Sequence, residues 1–184
     1  MKILYANACV RKESRTDRIA RALIEKRFAG CETEEVLLVN ENLKPLDANM
    51  LSERDKIIAD ESWDNPLCRY AVQFAAADAI VISAPYWDGS FPSLLKLYIE
   101  NIYITGIVSR YGPDGRPVGM CNAKKLYYVT TAGGPYNPAF SFDHISDLAT
   151  TCFGIPETEL IKAEMLDVFG FDAEAIVNEV ISQL

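Results

Sequence analysis

Three short stretches hold the side chains whose types and spacing could do chemistry. "ESRTDR", residues 13–18, sets two hydroxyls, Ser14 and Thr16, on either side of the Arg15 guanidinium. Hydroxyls, a cation and the unpaired N–H groups that begin a helix make a cradle for a phosphate, and no glycine is required for it. Ser14 or Thr16 equally suits a plain N-cap, and this stretch alone leaves both readings open. "APYWDGS", residues 84–90, contains Pro85, Tyr86, Trp87, Asp88 and Gly89. "TTAGGPY", residues 130–136, contains Thr131, Ala132, Gly133, Gly134 and Tyr136. Taken singly, each of these two reads as edge packing or as a plain turn. Taken with the first, they suggest a planar heteroaromatic ring held between the second and third stretches, its phosphate tail in the first.

Other chemistries find little support. The chain has one histidine, His144, and five cysteines, Cys9, Cys31, Cys68, Cys121 and Cys152, with no C-x-x-C. A zinc site needs clustered Cys and His, and nothing local pairs His144 with a thiol nucleophile. An odd number of scattered cysteines reads as reduced thiols in the cytoplasm. A formal net charge of -8 repels phosphate backbones, so nucleic acid is not an expected partner. No apolar run approaches a membrane span. "MKILYANACV" reads as a first strand, not as a signal peptide.

The elements that must position these stretches alternate. "KILYA" is an apolar run of strand length, and a helical spacing over Thr16 to Phe28 follows it, with Gly30 beyond. "EEVLLV", "AIVISAP", "KLYYVTT" and "ELIKAEML" are four further strands. Helices are expected over Ser52–Glu61, Pro66–Ala77, the "FPSLLKLYIENIYI" run, Ala139–Phe153 and Asp172–Gln183, with Asp172 as a cap and Pro92 in a first turn. Continuous apolar strands alternating with helices imply a parallel sheet covered on both faces. The expected fold is α/β, a flavodoxin-like doubly wound five-stranded parallel sheet of order 2-1-3-4-5. One domain spans 1–184, with an arm or lid at about 105–120. The G-x-G-x-x-G of a dinucleotide fold is missing after the first strand. Ligands of open α/β sheets bind outside the carboxyl ends of the strands, so the loops after the first, third and fourth strands are where a site belongs.

The sequence resembles the FMN-dependent NAD(P)H:quinone oxidoreductases and azoreductases of flavodoxin-like fold. The residues carrying the likeness are "ESRTDRIA", "APYWDGSFPSLLKLYIENI" with Pro85 and Pro92, "TGIVSRYGPDGRPVG", "KKLYYVTTAGGPY" and the "FGI" at 153–155. The resemblance implies an enzyme that passes a hydride from NADH or NADPH through FMN to a quinone, azo or similar small electron acceptor by a ping-pong mechanism. It implies that Ser14, Arg15 and Thr16, with Cys9 nearby, hold the FMN phosphate. Pro85, Tyr86, Trp87, Asp88 and Gly89 would hold the ring edge, and Thr131, Ala132, Gly133 and Gly134 its pyrimidine side. Gly133, Gly134 and Tyr136 are the expected donors to charge developing there, and no strong acid or base is needed because the cofactor carries the chemistry. Four positions depart from the family: Asp88-Gly89 stands where Asn-Phe is frequent, Ala132 where azoreductases often have Arg, and Cys9 where Ser is common.

The segment "TGIVSRYGPDGRPVG" is longer than most connections and turns at Gly112-Pro113-Asp114-Gly115. The resemblance makes Arg110 and Tyr111 lid residues near a partner's flavin. Leu94, Leu97, Tyr98, Ile102 and Ile104 spread too far round their helix to face only a sheet, which points to a homodimer. Two rival readings stay open: an electron carrier or FMN reductase handing electrons to a partner protein, and a flavin-free domain of the same fold.

Overall fold

A computed structural model describes all residues, Met1–Leu184. The chain opens with β1 (Lys2–Asn7), α1 (Arg15–Arg27) and β2 (Glu32–Leu37). It continues through α2 (Ala48–Asp60), α3 (Arg69–Ala76), β3 (Ala79–Ser83) and α4 (Ser93–Ile102). A short hairpin, β4 (Ser109–Tyr111) and β5 (Pro117–Gly119), precedes β6 (Lys125–Thr131). The last elements are α5 (Phe142–Asp147), β7 (Glu157–Ala163) and α6 (Ala173–Ser182).

Five strands form one parallel sheet in the order β2-β1-β3-β6-β7. With the hairpin set aside, this is the expected 2-1-3-4-5. Every residue of β3 is buried, as a central strand covered on both faces must be. Leu4, Ile80, Ile82 and Tyr128 face the layer that holds α3 and α4, while Ile3, Tyr5, Val81 and Val129 face α1 and α6. Asn7 lies opposite Ser83, and Ser83 opposite Val129, so the central strands end together at one edge of the sheet.

Local structure departs from the expected boundaries for identifiable reasons. β2 runs over Glu32–Leu37 and gives way to a 3₁₀ turn at Leu38–Asn40, two residues before the apolar run "EEVLLV" ends. The final strand stops at Ala163 because Met165 turns the chain with φ +66°. The expected helix over 139–153 is three pieces: a 3₁₀ turn at Pro138–Phe140, α5, and a π-helical turn at Leu148–Phe153 ended by Gly154 at φ +75°.

The β4–β5 hairpin is the expected arm, closed at its tip by Gly112 N–H donating to Arg116 O and Gly115 N–H to Gly112 O. Its base docks on backbone. A methyl group on Gly119 would meet Gly154 N at 2.0 Å, so only glycine permits this approach. Of the apolar residues credited to a second helix face, Tyr98, Ile102 and Ile104 are buried in the chain's own core. Leu94 and Leu97 are half-buried and still face outward in part.

Candidate active site

The loop after β1 becomes a donor array. Ser14 caps α1, its Oγ accepting from the Asp17 N–H at 3.3 Å. Through the loop and into the first turn of α1, the backbone N–H groups of residues 10–16 have no acceptor within the protein. With the positive end of the helix dipole behind them they form an anion cradle. Ser14 therefore caps the helix through its oxygen, and its hydroxyl lies within reach of the Cys9 thiol. Thr16 behaves differently. It is 1% exposed, and its Oγ1 sits 2.6 Å from Thr131 Oγ1, clasping the start of α1 to the end of β6. One of the two hydroxyls donates in that clasp, so Thr16 braces the start of the loop's helix against the sheet. Arg15 reaches across to the loop after β7, donating to Asp167 Oδ1 at 3.3 Å.

A buried polar network fixes this loop from beneath. Asn7 Oδ1 accepts from the Cys9 N–H at 3.0 Å and from Ser83 Oγ at 3.1 Å. Asn7 Nδ2 donates to Asp17 Oδ1, which also accepts from Tyr5 O–H at 2.6 Å, and Arg21 pairs with the other Asp17 oxygen. Burial and the bond to Asp17 push the Tyr5 hydroxyl far above its ordinary pKa, so it stays a donor. Cys9 is 5% exposed, its Sγ 3.6 Å from Ser83 Oγ, and burial raises its pKa. It is a packing thiol under the cradle.

The loop after β3 is a two-residue hairpin. Trp87 and Ser90 exchange backbone hydrogen bonds at 2.8 Å, with Asp88 at φ +51° and Gly89 at φ +79° between them. Positive φ at both central residues is the type I′ pattern that Asp-Gly favours. The Tyr86 N–H is given to Thr131 O and the Trp87 N–H to Ser90 O. Of the five residues expected to hold the ring edge, only Asp88 and Gly89 keep free N–H groups. The Tyr86–Thr131 bond, 2.9 Å long, also holds this loop beside the one after β6.

In that third loop the N–H groups of Gly133 and Gly134 have no protein acceptor, and a Cβ on Gly134 would meet open space. Ala132 is buried, its N–H bonded to Ala163 O. Tyr136 stands edge-on to Tyr86, with ring centroids 4.9 Å apart. Its hydroxyl lies 2.7 Å from Ser141 Oγ, and burial raises its pKa, so it keeps its proton at neutral pH. The loop after β7, which sequence reasoning passed over, braces the whole: Leu166 N–H donates to Ala132 O, Asp167 N–H to Gly133 O, and Glu164 accepts the Tyr136 N–H at 2.7 Å.

The three loops thus meet at the carboxyl ends of β1, β3 and β6, and bring the anion cradle, the unpaired N–H groups and the touching rings of Tyr86 and Tyr136 to one edge of the sheet. This donor set fits the phosphate and the polar ring edge of FMN. Arg110 and Tyr111 are not brought to it. Their hairpin follows α4, which runs back toward the amino ends of the strands, and it roots at Phe153–Gly154, just ahead of β7. Tyr111 is 67% exposed.

Fold and site define an open α/β protein that binds a phosphate-bearing planar ligand at its switch point. Comparison with known proteins narrows this. The model of a family described as flavodoxin-like fold matches residues 1–183. An FMN-dependent NADH:quinone oxidoreductase of Clostridium perfringens is 35% identical over 185 residues, covering 97% of this chain and 93% of that protein. One of Coprothermobacter proteolyticus is 34% identical, covering 99% and 95%. Among solved structures, an azoreductase from Bacillus anthracis superposes with a TM-score of 0.85 at 23% identity, covering 100% of this chain and 96% of that one. An FMN-dependent NADH-azoreductase from the same species, in complex with FMN, gives 0.81 at 19%, covering 99% and 94%; at such identities these two speak for the fold alone. The chain belongs to the flavodoxin-like family, among the FMN-dependent NADH:quinone oxidoreductases.

Proposed function

We propose that this protein is an FMN-dependent oxidoreductase that passes a hydride from NADH to a quinone or azo acceptor. The observation that carries this reading is the convergence of three sets of unpaired N–H groups, at residues 10–16, Asp88-Gly89 and Gly133-Gly134, on one end of the sheet. The names of the relatives supply the redox chemistry and the donor; NADPH is the alternative donor.

FMN, when bound, supplies two-electron transfer at its ring. The chain's residues do the rest. The free N–H groups of residues 10–16, with the Ser14 hydroxyl and Arg15, hold the phosphate. Tyr86 and Tyr136, whose rings touch, would stand together with Pro85 as one wall of the ring's slot. Gly133 and Gly134 aim N–H groups at the edge where negative charge develops, in place before the reaction and needing no reorganisation. Donor and acceptor would occupy the same site in turn, which gives ping-pong kinetics. In sum, NADH loses a hydride to become NAD⁺, and a quinone gains that hydride and one solvent proton to become the hydroquinone.

A homodimer completes the site in this reading, since Arg110 and Tyr111 stand away from their own chain's loops. No helix is long and apolar enough to cross a membrane, and five free cysteines suit the reducing cytoplasm. The test is an assay of FMN-loaded protein, NADH and NADPH each crossed with a quinone, an azo dye and free flavin. A protein that takes up no FMN, as judged by flavin absorbance after desalting, sinks the proposal.

A further inference from the structure

Beside the Trp87–Ser90 hairpin lies a cleft of about 390 Å³, a size that suits an acceptor of one or two rings. Val10, Trp87, Phe91 and Leu94 give it apolar walls, and Asp88 is the one ionisable residue among those that line it. The hairpin does not need that charge. It is closed by backbone bonds, and Asn or Gly meets the positive φ of its first central residue equally well. None of the chain's ion pairs uses Asp88. A carboxylate free of structural duty stands at the mouth of an aromatic cleft, next to the free N–H groups of the candidate ring site.

We infer that Asp88 is a specificity-determining residue: its carboxylate biases this cleft toward neutral and cationic aromatic acceptors and against anionic ones. The inference rests on the redox reading above and names the acceptor class for it. A sulfonate or carboxylate on an acceptor stacked against Trp87 lies within a few ångströms of Asp88, with no cation lining the cleft to offset the repulsion. The net charge of -8 adds a background of the same sign. A quaternary ammonium substituent is drawn to Asp88 and to the face of Trp87 alike.

The test uses FMN-saturated protein, NADH, and three naphthoquinones with one ring system: unsubstituted, sulfonated and trimethylammonium-bearing. In the wild type, kcat/KM is expected to rank cationic and neutral above anionic. Asp88→Asn and Asp88→Gly, both suited to the left-handed backbone, should raise the anionic-to-neutral ratio by about three- to tenfold at low salt, and by less at high salt. A second readout does not depend on turnover: dissociation constants of anionic and cationic naphthalene probes, followed by quenching of tryptophan emission, should shift in opposite directions in the two variants. If neither ratio moves, or both probes shift together, Asp88 is no charge filter. Should the wild type reduce none of the quinones, the redox reading fails, while the probe constants still decide whether Asp88 sorts ligands by charge.

Discussion

Gly133 and Asp167 are packed so closely that a methyl group on the glycine would meet Asp167 Oδ2 at 2.5 Å. The same carboxylate accepts from Arg15 at 3.3 Å, and the Asp167 N–H donates to Gly133 O at 2.9 Å. One residue of the β7 loop therefore touches both ends of the candidate flavin site, the cradle and the ring edge.

Gly133→Ala should push this carboxylate aside and part it from Arg15. Because the pair is exposed, 40% and 74% at its two side chains, stability should change by less than about 1 kcal/mol. FMN affinity should fall more. In an Asp167→Ala background the added methyl meets no carboxylate, so its effect on FMN should shrink by at least about 0.5 kcal/mol, the scale expected of coupled neighbours. Titration of the four proteins of this cycle with FMN gives the answer. Strict additivity would show that the contact in the structure carries no coupling.

Ser14 and Thr16 should separate under mutation. Ser14→Ala removes a cap, worth about 1 kcal/mol of stability, and a donor to the phosphate. Thr16→Ala breaks the buried clasp to Thr131 and should cost about 1–2 kcal/mol of stability, with a smaller effect on FMN. The double variant should weaken FMN by roughly 1–3 kcal/mol. Denaturant unfolding of the apoproteins, beside FMN titration, distinguishes the two roles. A Thr16 variant that loses FMN without losing stability contradicts the clasp.

Glu164 makes the Tyr136 wall sensitive to acid. Lys162 beside it, and then the Tyr136 N–H, hold its carboxyl below the ordinary glutamate range. A depressed folded pKa contributes stability that is complete above the unfolded value, about 4.3. That contribution disappears as pH falls through the lower folded value. Glu164→Gln keeps an acceptor for Tyr136 but cannot titrate, so wild-type and variant stabilities should converge on acidification below about pH 4. A gap that stays constant from neutral pH to about pH 3 would falsify this role.

How far the sequence alone reached is clear from particular residues. The apolar run "AIVIS" and the period of "DRIARAL" foretold a buried strand and its covering helix because burial acts through composition and spacing, which are local. The Ser14–Arg15–Thr16 and Gly133-Gly134 stretches were legible because helix starts and glycine turns carry local chemistry. Asp167 and Glu164 were not. They act across the sheet edge, and their partners Arg15 and Tyr136 lie far away in the chain. A signal was there, since "DVFGFD" also follows a strand's carboxyl end, but the switch-point rule directs attention elsewhere. The π-helical turn at Leu148–Phe153 was illegible for a similar reason. It ends where Gly154 packs on Gly119, a tertiary contact with no periodicity to betray it. The clasp that Thr16 makes was illegible too, because its strand-end partner, Thr131, lies 115 residues away in the chain.

The last prediction concerns the arm. Tyr111, Val118 and Met120 are exposed at 67%, 41% and 41%, on a hairpin whose base is rigidly seated. A seated hairpin with exposed apolar side chains has something to cover, or something to be covered by. Because it roots at the amino side of the sheet, it does not follow from this chain's own topology that Tyr111 reaches its own Gly133. A second copy can bring it there. Light scattering at micromolar protein should give the mass of a dimer, and a clean monomer rules out a stable one. Tyr111→Ala should lower turnover or change acceptor preference while FMN stays bound. Mixing then decides whether the site is shared. Tyr111→Ala protein and Gly133→Asp protein, each impaired alone, should form mixed dimers on co-refolding in which one site has an intact arm and intact loops. Recovery of activity in the mixture places Tyr111 at its partner's site; activity no better than the average of the two parents places the arm at its own.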